Sequence, residues 1–335
     1  MQRITISHGS GGKVTHELIN GLFVKHFKNN ILDKKEDSAV FELAKIRRVA
    51  FTTDSYVVKP IFFPGGDIGK LAVCGTVNDI AVSGASPKYI SSAFIIEEGF
   101  AVSDLERIVK SMALWAGKAG VKIVAGDTKV VEKKEADGIF INTSGIGVFE
   151  KDIICGVEKI RIGDKIIISG TIGDHGVAIL KERQGLSFKS RIESDAAPLG
   201  GMIGKIMEKT NGVKFMRDPT RGGVATTLNE IIRGSNMGIL IEEEKIPVAK
   251  EVRAACELLG LDPLYIANEG KVMIIVDPKE EKKVLTILKG HEYGKNAQTI
   301  GDVAHRYPGK VCLKTKYGVT RIIDMLTGEQ LPRIC

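Results

Sequence analysis

At 335 residues the chain is too long for one small domain and comfortable for two of ordinary size. Hydrophobic residues at 43% and charged residues at 27% exclude wholesale disorder. No apolar run approaches the roughly 18 residues of a membrane span. The net charge of +7 suits a handler of polyphosphates, but the basic residues are scattered and rarely interleaved with aromatics, so no nucleic-acid partner is expected.

The N-terminus has no apolar leader core, and a cytoplasmic protein with no membrane role is expected. Abundant glycine and few aromatics suit an α/β or α+β fold with tight turns and backbone-lined anion sites. The chain opens on Ser7-His8-Gly9-Ser10-Gly11-Gly12-Lys13. Backbone N–H groups of such a loop can cradle phosphate, with Lys13 adding charge, although a plain turn reads equally well. The spacing is neither a Walker A nor a Rossmann fingerprint. Val14, Leu18, Ile19, Leu22, Phe23 and Phe27 then mark a helix that ends at Asn29-Asn30.

Residues 47–58 read as a strand, 60–66 as a loop and 67–83 as a helix. Ser103-Asp104-Leu105-Glu106 reads as a capping box. It opens a helix whose apolar face is Leu105, Ile108, Val109, Met112 and Ala116, closed by Gly120. A buried strand over 121–125 is expected to end at a turn, Gly126-Asp127-Thr128-Lys129, and residues 138–149 to form another strand. Near residue 155 the pattern begins again. A strand over 164–170 leads into a glycine-rich turn, Thr171-Ile172-Gly173-Asp174-His175-Gly176. Helices are expected at 197–210, 221–234, 248–259 and 278–289, and strands at 238–242, 271–276, 298–304 and 310–315.

Asp54, Asp79, Asp127 and Asp218 each stand at an element end beside small or glycine-rich sequence. Mg²⁺–nucleotide sites gather hard oxygen ligands at such ends, but singly each reads first as a cap or turn residue. Glu269 and Lys129 read likewise as caps or salt-bridge partners. His175 reads as a turn-shaping residue, with no partner histidine at metal-ligand spacing. Among five cysteines there is no C-x-x-C pair. Cys74, Cys155, Cys256 and Cys312 read as small core hydrophobes, whereas Cys335 is the last residue. A ten-residue flexible tail would let its thiol range over roughly 18 Å.

Asn78-Asp79-Ile80-Ala81-Val82-Ser83-Gly84-Ala85-Ser86-Pro87 resembles the signature of the ATP-utilising aminoimidazole ribonucleotide synthetase (PurM-like) superfamily. Gly126-Asp127-Thr128 and Asp218-Pro219-Thr220-Arg221-Gly222-Gly223 fit the same superfamily. Within it, the ending Pro332-Arg333-Ile334-Cys335 looks like that of the HypE family of hydrogenase maturation proteins. His8-Gly9-Ser10-Gly11-Gly12-Lys13 and Asn268-Glu269-Gly270-Lys271 look like it too, and the resemblance runs end to end.

The resemblance implies a two-domain PurM-like fold. A glycine loop and helix would span 1–35, an ATP-binding and dimerisation domain 36–155, a second domain 156–324 and a mobile tail 325–335. The N-terminal sheet would pair with its twin across a homodimer. Gly9, Ser10, Gly11, Gly12 and Lys13 would cover the phosphates of ATP, with Asn78, Asp127 and Thr128 at the nucleotide and Asp54, Asp79 and Asp218 on Mg²⁺. Cys335 would carry an S-carbamoyl group installed by the carbamoyltransferase HypF. ATP-dependent dehydration, aided by Glu269 and Lys129, would turn it into S-cyanate, the source of cyanide for the iron of [NiFe]-hydrogenase, passed on through the HypC–HypD complex. Leu331 and Ile334 are expected to pack in the channel, and Arg333 to meet a carboxylate or phosphate at its mouth. A selenophosphate synthetase or small-molecule kinase of this fold is the alternative, but the former would place Cys or selenocysteine in the N-terminal glycine loop, which has none. A non-catalytic carrier displaying Cys335 is the alternative from another class.

Overall fold

The computed structural model describes residues 12–18, 20, 39–41, 48–151, 155–185, 192–328, 331 and 333–335. Helix α1 (Lys13–Leu18) and strands β1 (Ala39–Phe41) and β2 (Val49–Tyr56) come first. A short hairpin, β3 (Phe62–Phe63) and β4 (Gly66–Asp67), leads into α2 (Ile68–Val82). Then follow β5 (Ser86–Glu97), α3 (Val102–Ala119), β6 (Lys122–Val131) and β7 (Ile139–Val148). These strands form a five-stranded sheet in the order β1–β2–β7–β5–β6, antiparallel except for the β5–β6 pair.

Along β7 every second residue is buried, as expected of a sheet covered on one face. The cover is α2, which is apolar nearly all round because sheet, α3 and the second half of the chain surround it. Asp67 caps this helix, accepting from the Lys70 N–H at 3.0 Å. Gly75 lets the helix approach β2: a Cβ there would lie 2.2 Å from the Tyr56 hydroxyl. Gly75→Ala should therefore destabilise the protein by about 1–3 kcal/mol, because both Tyr56 and the helix are fixed by packing. A melting temperature equal to that of the unaltered protein would contradict the close approach.

The second half contains β8 (Lys165–Ile168), α4 (Asp174–Gln184), α5 (Gly200–Lys209), β9 (Val213–Arg217), α6 (Gly223–Ile232), β10 (Gly238–Glu242), α7 (Lys250–Leu259), β11 (Met273–Val276), α8 (Glu281–Lys289), β12 (Gln298–Ala304), β13 (Val311–Lys314) and β14 (Thr320–Ile323). Its seven-stranded sheet runs β14–β13–β10–β12–β8–β11–β9, with β10 and β13 parallel. Ile166 and Ile168 pack with α6, while Ile167 packs with α5 and α8 on the other face. Covered on both sides, Ile166–Ile168 of β8 and all of β11 are continuous apolar runs. Ala81 and Val82 of α2 join the α5–α8 core, so the two halves share packed side chains.

Several local expectations are corrected. The helix α3 starts from Ala101 with no side-chain cap, so Ser103-Asp104-Leu105-Glu106 is not a capping box. Ile108, Met112 and Ala116 face inward, but Val109 is exposed. Strand β6 continues through Gly126-Asp127-Thr128-Lys129 instead of turning there, and it is exposed along nearly its whole length. Among the described strands it pairs with β5, at the sheet edge. The stretch 171–176 is only partly a turn: α4 begins at Asp174, and His175 sits in its first turn. Of the helix expected from Val14 to Phe27, Lys13–Leu18 is described, and the remainder lies outside the described residues.

Candidate active site

The end of the chain lies between the two halves. The Cys335 C=O accepts from the Val57 N–H at 3.0 Å, and the Arg333 C=O from the Lys59 N–H at 3.2 Å, just past β2. Arg333 Nε donates to the Val57 C=O at 2.8 Å, completing a short ladder. Ile334 is buried in the cluster that holds Tyr56, Val58, Phe63 and Leu71, with Leu331 packed against it. Arg333 pairs with Asp137, which also binds Lys59 Nζ at 2.7 Å; these two cations hold the Asp137 carboxyl below its ordinary range.

His175 is fully buried and makes two bonds, Nε2 to the Ile334 C=O at 2.8 Å and Nδ1 to Ser194 Oγ at 2.7 Å. A carbonyl only accepts, so Nε2 carries the proton and Nδ1 accepts from the serine. Burial lowers the His175 pKa and favours this neutral form.

The Cys335 thiol meets a cluster of charged groups. Burial raises its pKa, as do Glu269, Asp54 and Asp218, while Arg221 opposes them. The thiol is therefore neutral in this position. Arg221, directly after Asp218-Pro219-Thr220, has the Cys335 end as its main electrostatic partner, then Asp54, Glu269 and Asp79. Glu269 is 3% exposed, and its Oε1 has no hydrogen-bond partner. Burial raises its pKa well above the ordinary carboxylate value, and Asp218, Asp195 and Asp54 add to the effect. A buried carboxylate with an unsatisfied oxygen is poised to take a proton.

Asp54 is held by the Tyr56 hydroxyl at 2.9 Å, and burial raises its pKa. Asp79 accepts from Thr52 Oγ1 at 2.8 Å. Asp54, Asp79, Asp218 and Glu269 thus share one electrostatic neighbourhood. Among the described residues, however, no group of three or more His, Cys, Asp or Glu side chains could hold a metal ion. The expected trio Asp54, Asp79 and Asp218 is not a ready-made protein cage. The fit to Mg²⁺ is of another kind, because that ion keeps waters and takes phosphate oxygens beside one or two carboxylates.

Other expected residues stand apart. Asn78 is 1% exposed, and its amide is committed to protein: Nδ2 donates to the Ala197 C=O at 3.0 Å and the Glu269 C=O at 3.3 Å, and Oδ1 accepts from the Leu199 N–H at 2.8 Å. It clamps the two halves together, which leaves no donor for a nucleotide. Asp127 and Lys129 pair with each other at 2.8 Å on exposed β6, with side chains 61% and 69% exposed. The Thr128 N–H donates to Asp127 Oδ1 at 2.8 Å. None of these three contacts the Cys335 cluster within the chain. Gly9, Ser10 and Gly11 lie outside the described residues; Gly12 is buried, and the Lys13 N–H donates to the Leu326 C=O at 2.8 Å.

The chain matches the AIR synthase related protein family, its N-terminal domain over residues 35–149 and its C-terminal domain over 161–312. It is 50% identical to the carbamoyl dehydratase HypE of Bradyrhizobium diazoefficiens, over 99% of this chain and 96% of that protein. The chain belongs to the HypE carbamoyl dehydratase family. A solved HypE–HypF complex contains a chain 52% identical to this one, with a TM-score of 0.88, matching 92% of this chain and 99% of that one. A solved HypE in complex with ATP is 46% identical, with a TM-score of 0.83, over 99% and 100% of the two chains. The two-domain α/β fold of this family is the one observed.

Sequence reasoning missed Arg221, although it stands in the quoted Asp218–Gly223 motif, and it underrated His175. Asp195 and Tyr56 gave no local signal, because their importance arises from contacts with residues distant in the chain.

Proposed function

We propose that this protein dehydrates an S-carbamoyl group on Cys335 to S-cyanate, with ATP converted to ADP and phosphate. The observation that carries the reading is the end of the chain held between the two halves, by Val57 and His175, with its thiol under the electrostatic influence of Glu269 and Arg221. In Cys–S–C(=O)–NH₂ the oxygen is a poor leaving group. Phosphorylation by ATP turns it into phosphate, and removal of both nitrogen protons leaves Cys–S–C≡N. Glu269, buried with a free oxygen, takes a nitrogen proton. Arg221 stabilises charge developing on oxygen or phosphate. The neutral thiocarbamate suits this pocket for the same reason as the neutral thiol: a thiolate beside these carboxylates is disfavoured.

Asp54, Asp79 and Asp218 would hold Mg²⁺ together with phosphate oxygens, and the ion would neutralise phosphoryl charge. Gly9–Lys13 would cover the phosphates. Exposed β6 carries Val124 and Val130 outward beside Asp127, Thr128 and Lys129, and it supports a homodimer in which these three act at the partner's nucleotide. HypF loads Cys335 after the tail swings out, and the HypC–HypD complex receives the cyanide for iron of [NiFe]-hydrogenase. No helix among the described residues is long and apolar enough to cross a membrane.

The test is an intact-protein mass spectrum after incubation with HypF, carbamoyl phosphate and ATP. A carbamoyl adduct should appear and then lose the mass of one water, and only when ATP is present. A carbamoyl adduct that persists with ATP would favour the carrier reading.

A further inference from the structure

The segment Ser194–Leu199, which belongs to no helix or strand, threads between the halves and bonds His175, Asn78 and Glu269. Ser194 Oγ accepts from the Ala196 N–H at 3.2 Å and bonds His175, which holds the tail at Ile334. The Ser194 N–H donates to the Pro64 C=O of the first half at 2.8 Å. Ala197 and Leu199 are gripped by Asn78. Between them, Asp195 reaches the Glu269 main chain. Its Oδ1 accepts from the Glu269 N–H at 3.0 Å, and its Oδ2 from Lys271 Nζ at 2.9 Å. The Asp195 side chain is 4% exposed and that of Lys271 10%. The approach is tight enough to require glycine at 270, since a Cβ there would lie 1.8 Å from the Asp195 carbonyl oxygen.

Glu269 Oε1 has no hydrogen-bond partner of its own, so no bond at that oxygen fixes the carboxylate's direction. The main chain is gripped on both sides, by Asp195 at the N–H and by Asn78 at the C=O. Asn268 adds a third hold, donating to the Pro219 C=O at 2.9 Å beside Asp218. We propose that Asp195 is a positioning residue for the dehydration: through its bond to the Glu269 amide it aims the Glu269 carboxylate at the group on Cys335. Lys271 neutralises Asp195, so that a buried acceptor is available without an unpaired charge. Proton transfer demands placement to within about 0.5 Å, and a shift near 1 Å can cost about 100-fold in rate.

The inference rests on the assignment of Glu269 as base, so both are tested together. Two variants of the full chain are compared, Asp195→Asn/Lys271→Met and Asp195→Ala/Lys271→Met. Neither strands a buried charge, and they differ in whether residue 195 offers an acceptor to the Glu269 N–H. Each is carbamoylated by HypF, and a single turnover with Mg²⁺–ATP is followed by intact mass. The Asn form should make S-cyanate about 10- to 100-fold faster than the Ala form. ATP affinity and carbamoyl loading should be equal in the two. Should the Ala form fail to fold, Asp195→Leu/Lys271→Met fills the space without an acceptor and replaces it in the comparison. Equal turnover rates, or a rate difference matched by an equal loss of ATP binding, would overturn the positioning role. Glu269→Gln, run alongside, separates the failures: if it keeps the full rate the base assignment is wrong, and if it is inactive while the Asn and Ala forms agree, only Asp195 is misassigned.

Discussion

Cys335→Ala is expected to abolish S-cyanate formation while leaving ATP binding intact. No other described cysteine can replace it: Cys74, Cys256 and Cys312 are buried, and Cys155 is half-buried beside α5 and α8. Burial holds the Cys74 thiol near a pKa of about 12, so it offers almost no thiolate to a carbamoyl donor. The cost in stability should be small, about 1 kcal/mol or less, because Ile334 and the main-chain ladder at Val57 and Lys59 anchor the tail without the sulfur. Intact mass after incubation with HypF, carbamoyl phosphate and ATP should show no adduct, with thermal unfolding nearly unchanged. A variant that still gains and dehydrates a carbamoyl group would remove Cys335 from the mechanism.

The sheets were legible from sequence where one physical signal dominated. The run from Ile166 to Ile168 is apolar because both faces are covered, and its strand is plain in the sequence. So was α2, a glycine-containing apolar helix with an Asp cap. Strand β6 is exposed although Val121-Lys122-Ile123-Val124-Ala125 has the apolar character of a buried strand. Val124 and Val130 on it are exposed. The carboxylates Asp54, Asp79, Asp218 and Glu269 were each visible only as residues beside glycines or element ends, and the superfamily resemblance supplied their grouping. Asp195 was invisible, since its role depends on Glu269 and Lys271, more than seventy residues away. The contacts foreseen for the tail had a local basis: two apolar residues, Leu331 and Ile334, flank one cation, and the cation found Asp137.

Glu269→Gln should show the opposite of an ordinary core substitution, losing catalysis while gaining stability. The amide keeps the shape of the carboxylate but cannot take a proton from the thiocarbamate nitrogen. S-cyanate formation should fall by about 10²- to 10⁴-fold, the usual worth of a general base. Carbamoyl loading, placed outside the pocket in the proposed reaction, should persist. Stability follows from the pKa shift. Burial and the nearby Asp218, Asp195 and Asp54 raise the folded-state pKa of Glu269 well above 4.5. A carboxyl raised in this way stabilises the fold fully only at pH below its unfolded value. That contribution is lost as pH rises towards the folded value, because the unfolded chain ionises first. Glutamine carries no such penalty. In the ligand-free protein, the melting temperature of Glu269→Gln should match that of the unaltered chain below the ordinary carboxylate range and exceed it increasingly as the pH rises above that range. Two readouts therefore move in opposite directions from one substitution. A parallel loss of rate and melting temperature would mean that Glu269 is held by contacts its carboxylate makes, and that its burial serves the fold and not the reaction.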